Sequence, residues 1–173
     1  MPSANSFWDF SLAVYRIPGV AAACLRLQDE AGVDVNLLLY VCWLGTVRDR
    51  PLDEAALRDA LAQTDAWRDR VVRPLRDIRR WMKGRTEGLP SGAVESLRSD
   101  VKRIELAAER LQQDMLFAIV GPVTVHATAA AGAADRVEKN IALYLRVIGT
   151  NRSDVIDADC RIVAAAATKA GWY

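Results

Sequence analysis

The stretch that most constrains the fold is DVNLLLYVCWLG, from Asp34 to Gly45, because its residues 37–44 are eight apolar side chains in a row. A helix that is apolar on every side must be covered on every side. Eight residues are many for a buried strand, no β-turn signal flanks them, and a membrane span would need about 18. The sequence therefore predicts a buried central helix, with Asp34 as its N-cap and Gly45 near its C-terminal end.

The composition is that of one ordinary globular domain. The chain has 173 residues, 51% of them hydrophobic and 26% charged, with a formal net charge of +1. This balance gives no overall reason to expect a nucleic-acid or membrane partner. The start of the chain has neither the basic region nor the unbroken apolar region of a secretory signal. We therefore expect a single cytoplasmic domain over residues 1–173.

The cysteines and the histidine limit the chemistry that the chain can carry. Cys24, Cys42 and Cys160 share no CxxC spacing, and two of them lie in apolar helical stretches, which favours reduced core cysteines. His126 is the single histidine, so one chain cannot build a multi-histidine metal site. It lies among Ala and Thr residues, which is typical of a solvated loop. The sequence thus indicates no catalytic residue, metal site or cofactor.

Capping residues and apolar spacing predict an all-α fold of about seven helices. Ser6 matches an N-cap, with Asp9 placed to bond back to it, and that helix runs to about Ile17. Pro18 is well placed to begin a second helix, which ends near residue 30. The remaining predicted helices cover residues 34–45, 53 to about 64, 66–83, 92–120, 135–148 and 153–170.

The strongest periodic signal is a seam on the long helix 92–120. Its apolar residues recur at spacings of three and four: Val94, Leu97, Val101, Ile104, Ala108, Leu111, Met115 and Ala118. Such a heptad seam predicts a packed partner helix. The neighbouring helix 66–83 offers a complementary stripe, so we expect an antiparallel hairpin of the two, with a kink or break at Pro74. The alternative is that the seam faces a second copy of the chain in a homodimer.

Four phrases in the first two-thirds of the chain resemble a known family. They are FWDFSLAVY, PGV, CLRLQDEAGVDVNLLLYVCWLG and WRDRVVRPLRDIRRWMK, in that order. They resemble an uncharacterised family of short proteobacterial proteins that carries only a domain-of-unknown-function label. The resemblance covers roughly residues 6–116 and leaves about 122–173 as a C-terminal helical extension. It implies a bacterial cytoplasmic protein and supplies no catalytic residues.

The segment 66–85 is the most strongly charged part of the chain. It has eight Lys and Arg residues against two Asp, a net charge of +6. Such a face can bind an acidic protein surface, or the phosphates of a nucleic acid or nucleotide. The plainer interpretation, which we favour for the charge itself, is the solvated side of an amphipathic helix whose charges are balanced within the chain. The candidate partner-binding residues are Arg73, Arg76, Arg80, Lys83 and Trp81.

A second candidate site lies in the first 45 residues, where polar tips and aromatic rings are mixed. Its residues are Trp8, Asp9, Gln28, Asn36 and Tyr40. Asn36 lies inside the predicted central helix, so a buried Asn36 needs hydrogen-bond partners. These residues form either a small-ligand pocket or a polar network that fixes how the helices pack. The acidic residues nearby, Asp29, Glu30 and Asp34, could hold a divalent cation, although helix capping accounts for them equally well.

These features favour a non-enzymatic interaction or adaptor protein that uses the basic helix. The alternatives are a small-ligand or enzymatic pocket near Trp8, Asn36 and Tyr40, and nucleic-acid or phosphate binding through residues 66–85. We expect a protein partner with an acidic surface, no membrane partner and no cofactor. A homodimer remains open.

Overall fold

The structure is a computed structural model that describes residues 5–48, 51–85, 88–120 and 132–169. His126, the predicted helix stop at Gly121-Pro122 and the tail Trp172-Tyr173 lie outside the described residues. The helices are α1 (Ser6–Tyr15), α2 (Val20–Ala31), α3 (Val35–Val47), α4 (Glu54–Trp67), a π-helical turn (Arg68–Val72), α5 (Arg73–Trp81), α6 (Ser91–Val120), α7 (Ala133–Val147) and α8 (Asp154–Lys169). Because α4, the π turn and α5 run on without a break, these ranges hold seven helical rods and no strand. The expected all-α class is confirmed.

The predicted central helix is confirmed as α3. Asp34 caps it, and the Oδ1 atom of Asp34 accepts a hydrogen bond from the backbone N–H of Asn36 at 2.8 Å. Every residue from Asn36 to Val47 is buried. Helices α1, α2, α6, α7 and α8 all contact α3, and the most extensive contact is with α7. The apolar run is therefore covered on all sides, as its composition requires.

Close contact between α3 and α7 depends on Gly45. A Cβ atom added there would stand 2.8 to 2.9 Å from atoms of Val137, two of them backbone atoms. Two side chains of α7 also bond to carbonyl oxygens of α3. Arg136 donates to the carbonyl of Gly45 at 3.0 Å, and Asn140 donates to that of Val41 at 3.0 Å. The C-terminal half of α3 is thus held to α7 by both packing and hydrogen bonds.

The start of the chain differs from the prediction in one capping residue. Asn5, not Ser6, is the N-cap of α1, and its side-chain oxygen accepts from the backbone N–H of Trp8 at 3.0 Å. The prediction that Ser6 caps this helix is wrong. Helix α1 ends at Tyr15, and Pro18 lies in the turn before α2.

The predicted helix 66–83 is the second half of a longer rod. Pro74 has no N–H, and its ring crowds the carbonyl four residues earlier. The rod accommodates this by widening into the π turn, in which the N–H of Arg73 bonds to the carbonyl of Arg68, five residues back. The expected irregularity at Pro74 is therefore a widened turn before the proline and not a break.

Helices α5 and α6 form the expected hairpin, but only part of the apolar seam belongs to the packed face of α6. Leu97, Ile104 and Leu111 of that seam are 56%, 48% and 51% exposed. The buried residues of α6 are Glu105, Ala108, Gln112, Gln113 and Leu116. Ala108 of the seam is buried, so the expectation that α6 packs through its heptad seam holds for part of the seam only, and ion pairs and amide hydrogen bonds hold polar residues inward on the same face. Among the described helices none is by itself long and apolar enough to cross a membrane, although α1 and α2, bent by 100°, together reach that length and composition.

Candidate ligand-binding cleft

A half-open cleft of about 430 Å³ lies between α1, α2, α3, α5 and α6. Four of the large apolar side chains that the fold leaves exposed line it: Leu12, Tyr15, Leu25 and Leu106. Trp8 and Leu39 add to its walls. Exposed apolar residues from three helices thus converge on one opening, which is typical of a ligand or partner site.

Beneath the cleft lies a series of three buried, hydrogen-bonded amide side chains, here called the amide chain: Gln112, Asn36 and Gln113. Gln112 donates to Oδ2 of Asp34 at 2.7 Å. Asn36 donates to the Oε1 atom of Gln112 at 2.8 Å, and Gln113 donates to the Oδ1 atom of Asn36 at 2.9 Å. Asn36 and Gln113 line the cleft, so the amide chain connects the cap of α3 to the cleft floor.

The far end of the amide chain carries an oxygen without a partner. Gln113 is 4% exposed, and its Oε1 atom is buried with no hydrogen-bond partner among the described residues. A buried carbonyl oxygen that lacks a donor costs about 1–3 kcal/mol. Such an atom in a native protein requires an explanation, and a donor group on a bound molecule would supply one.

Charged residues of α5 and α6 form one side of the cleft. Arg76 bonds to both Glu105 and Glu109, and Arg79 bonds to Glu105. Burial opposes ionisation of Glu105, but the guanidiniums of Arg79 and Arg76 outweigh it and hold the pKa of Glu105 below its usual value. At Glu109 the order is reversed, because burial raises its pKa by more than Arg76 lowers it. Burial also raises the pKa of Tyr15, to which the charge of Glu109 contributes.

The structure brings together three of the five residues predicted for a pocket. Trp8, Gln28 and Asn36 all line the cleft. Tyr40 is 2% exposed and lies in the aromatic core, with its ring centroid 5.6 Å from that of Phe7. Asp9 lies in the first turn of α1 and is not among the lining residues.

Sequence reasoning missed Gln112, Gln113 and Leu106. The two glutamines lie beside the apolar seam of α6, on a face that also carries Glu105, so hydrophobic periodicity assigned them to solvent. Leu106 is a single exposed apolar residue in the sequence, and such a residue indicates no site until the fold places it at a cleft. No pattern in the sequence indicates that the amide oxygen of Gln113 lacks a hydrogen-bond partner among the described residues.

The basic helix is largely balanced by acids of the same chain. Arg73 pairs with Asp69 at 3.0 Å and Arg80 pairs with Asp29, while Arg76 pairs across the hairpin. Its side chain is only 16% exposed. These guanidiniums hold the fold together, and the predicted free basic face is correspondingly reduced.

The other two predicted partner-binding residues, Trp81 and Lys83, lie at or just beyond the end of α5. Trp81 is 56% exposed, and the Arg85 guanidinium lies 5.5 Å from its ring centroid. Lys83 is exposed just beyond α5. These positions are accessible to a partner, unlike Arg76.

A second groove of about 410 Å³ lies between α2 and α5, and several of the charged residues that line it are paired with each other or with neighbouring residues. Asp29 bonds to Arg80 there, and this hydrogen bond holds the pKa of Asp29 below its usual value. Within the described ranges no group of three or more His, Cys, Asp and Glu residues is placed to hold a metal ion. The cleft is therefore the candidate site on which the geometry concentrates.

The fold and the cleft define an all-helical protein with a buried central helix and one apolar-walled opening beside its N-terminal half. The chain belongs to the family described as "Protein of unknown function (DUF2390)", whose model matches residues 6–116. Every residue that lines the cleft falls within that matched range. Searches of curated proteins and of solved structures found no match.

Proposed function

We propose that this protein binds a small, largely apolar molecule in the cleft. The observation that supports this most is the convergence of exposed Leu12, Leu25 and Leu106 on an opening with a buried polar floor. The volume of about 430 Å³ falls within the range typical of small-molecule sites, about 300–1,000 Å³. A ligand that covers these leucines recovers about 25 cal/mol for each Å² of apolar surface removed from water.

Binding is better supported than catalysis by the groups at the cleft. The carboxylate of Glu109 is engaged by Arg76, and the hydroxyl of Ser11 donates to the carbonyl of Phe7 at 2.9 Å. Among the described lining residues there is no Cys or His. Ser11 and Glu109 therefore do not form the pair of activated nucleophile and neighbouring base that covalent catalysis requires.

The test compares two leucines of α6 that are similarly exposed. Leu106 lines the cleft and is 51% exposed, whereas Leu97 is 56% exposed and does not line it. The probe is N-phenyl-1-naphthylamine, an uncharged dye whose fluorescence rises in apolar sites. We expect saturable binding to the wild type, a loss of at least about tenfold in affinity for Leu106→Glu, and wild-type affinity for Leu97→Glu. Equal affinities of the two variants, or no saturable binding to the wild type, would refute the proposal.

A second candidate function is docking of an acidic protein at the end of α5, where Ile78 and Trp81 are exposed beside Arg85 and Lys83. Exposed aromatic and cationic side chains in one patch are typical of protein interfaces. The variant Trp81→Ala combined with Lys83→Glu leaves the ion pairs of Arg76 intact, so it isolates the patch. Recovery of the same partners by wild type and variant from the native host would exclude this surface.

We further propose that binding takes place in the bacterial cytoplasm. The three cysteines are unpaired and buried in the structure, which suits a reducing compartment. The family resemblance implies the same location. Detection of the protein in the periplasmic or extracellular fraction of its host would contradict this placement.

A further inference from the structure

The direction of every hydrogen bond in the amide chain is fixed by Asp34. The carboxylate of Asp34 can only accept, so Gln112 must turn its NH₂ group toward it. Gln112 then presents its oxygen to Asn36, and Asn36 must donate to that oxygen. Asn36 in turn presents its own oxygen to Gln113, which must donate to it. The amide chain thus has one allowed polarity, and its free end is the Oε1 atom of Gln113.

From this fixed polarity we infer that the cleft selects ligands that carry an N–H or O–H donor, and that Gln113 is the residue that recognises it. The inference rests on the proposed ligand-binding function and specifies the ligand chemistry. A ligand donor would satisfy a buried oxygen that is otherwise unpaired among the described residues. A ligand that offers an acceptor to the same atom would face repulsion between two oxygen lone pairs.

Hydrogen bonds in series strengthen the terminal acceptor. Each donated bond along the amide chain polarises the next amide, and the series starts at a full negative charge on Asp34. The amides are 0% exposed at Gln112, 7% at Asn36 and 4% at Gln113, so solvent screens this effect little. Gln113 therefore acts as specificity-determining residue, while Asp34, Gln112 and Asn36 position it.

The substitution Asp34→Asn should reverse the polarity of the whole amide chain. Asn is as good an N-cap as Asp, so its Oδ1 atom keeps the bond to the N–H of Asn36. Its NH₂ group then stands where Oδ2 was and donates to Gln112. Gln112, Asn36 and Gln113 must each turn over in response. The cleft would then meet the NH₂ group of Gln113, a donor, in place of an oxygen.

The experiment uses three uncharged probes of similar size at pH 8: indole, which donates through its N–H; benzofuran, which has the same shape without a donor; and isoquinoline, which accepts. Affinities are measured by NMR titration, with the methyl signals of Leu39 and Leu106 reporting occupation of the cleft. The wild type should bind indole roughly three- to tenfold more tightly than benzofuran. Asp34→Asn should lose that preference and bind isoquinoline most tightly of the three.

The matched control is Asp53→Asn, at the N-cap of α4. Asp53 accepts from the backbone N–H of Ala56 at 2.8 Å and does not line the cleft. This variant makes the same chemical change and the same change in net charge, and it should keep the wild-type order of probe affinities.

A second variant keeps the inference testable if Asp34→Asn lowers the unfolding midpoint. Gln113→Met combined with Asn36→Leu removes both amide oxygens that line the cleft, so this variant should bind indole and benzofuran with equal affinity. If the probes bind at the cleft but the wild type does not prefer indole, or Asp34→Asn keeps the wild-type order, the inference is wrong and the proposed function stands. If none of the probes shifts the Leu39 and Leu106 signals, the proposed function fails and the inference fails with it.

Discussion

Glu105 shows how a single polar residue organises the hairpin. Its side chain is 6% exposed and bonds to both Arg76 and Arg79 of α5. A carboxylate that is buried among two guanidiniums stabilises the fold only while it is ionised. Because its pKa is lowered in the folded state, its contribution is fully present above the unfolded pKa, near 4.5, and is lost as the pH falls through the folded value.

We therefore predict that Glu105→Gln lowers the free energy of unfolding by about 1–3 kcal/mol at pH 7. The gap between variant and wild type should close as the pH falls below about 4.5, because glutamine does not titrate. Urea unfolding at pH 7, 5, 4 and 3 measures the difference in the free energy of unfolding between variant and wild type. The control is Glu54→Gln, which removes half-exposed ion pairs to Arg58 and Arg146 and should change little at any pH. A gap that stays constant down to pH 3 would contradict the prediction.

The three cysteines should be inert in the folded protein. Burial raises the pKa of Cys24 to about 12 and that of Cys160 to about 11, and it also raises the pKa of Cys42. The thiolate is the reactive form, and it is scarce at pH 8 for each of them. We expect negligible reaction with a disulfide reagent such as dithionitrobenzoate in the native state and three rapid reactions in urea. A native thiol that reacts as fast as free cysteine would show that its helix opens readily.

At the scale of elements, the contact between α3 and α7 depends on the missing side chain of Gly45. The added methyl of Gly45→Ala would meet Val137 at 2.8 to 2.9 Å, including backbone atoms that cannot give way as a side chain can. We predict that this variant lowers the free energy of unfolding by about 1–3 kcal/mol. Chemical denaturation followed by circular dichroism measures the change.

The matched control is Gly92→Ala, near the start of α6. An added Cβ there meets nothing within 4 Å, so the intrinsic helix preference of alanine should leave stability unchanged or raise it by up to about 1 kcal/mol. If the two alanine variants change the free energy of unfolding equally, α3 and α7 can move apart at Gly45 without cost. The close contact would then contribute nothing to stability.

The packed face of α6 illustrates the limit of periodicity at the same scale. The seam through Leu97, Ile104 and Leu111 is the regular pattern, yet the helix turns Glu105, Gln112 and Gln113 inward. Apolar spacing along the sequence indicates which residues can be buried without a desolvation penalty. Each inward polar residue meets a partner from a distant part of the chain, and that match outweighs the apolar alternative.

At the scale of the whole molecule, the family segment 6–116 does not enclose its own central helix. Helix α7 lies beyond that segment and makes the most extensive contact with α3. Tyr144 of α7 accepts from the N–H of Asp34 at 2.9 Å, so the cap of α3 also depends on it. Both the core and the positioning of the amide chain thus draw on the C-terminal helices.

We predict that a chain ended after Val120 loses cooperative unfolding and binds the dye anilinonaphthalenesulfonate, because removal of α7 and α8 exposes apolar surface of α3. Circular dichroism during a urea titration, with the full chain as reference, measures this. A sharp transition at the same urea concentration as the full chain would show that residues up to 120 form an independent domain.

The sequence by itself determined the helical class, the buried α3, its cap at Asp34 and the irregularity before Pro74. Each of these follows from local physics: an unbroken apolar run, a capping carboxylate, and a proline without an N–H. Only the tertiary structure decided that Trp8, Gln28 and Asn36 line one cleft with Gln113. It also decided which arginines are already paired and where exposed leucines form that cleft. Those outcomes depend on contacts between residues far apart in the chain, and no spacing along the sequence records such contacts.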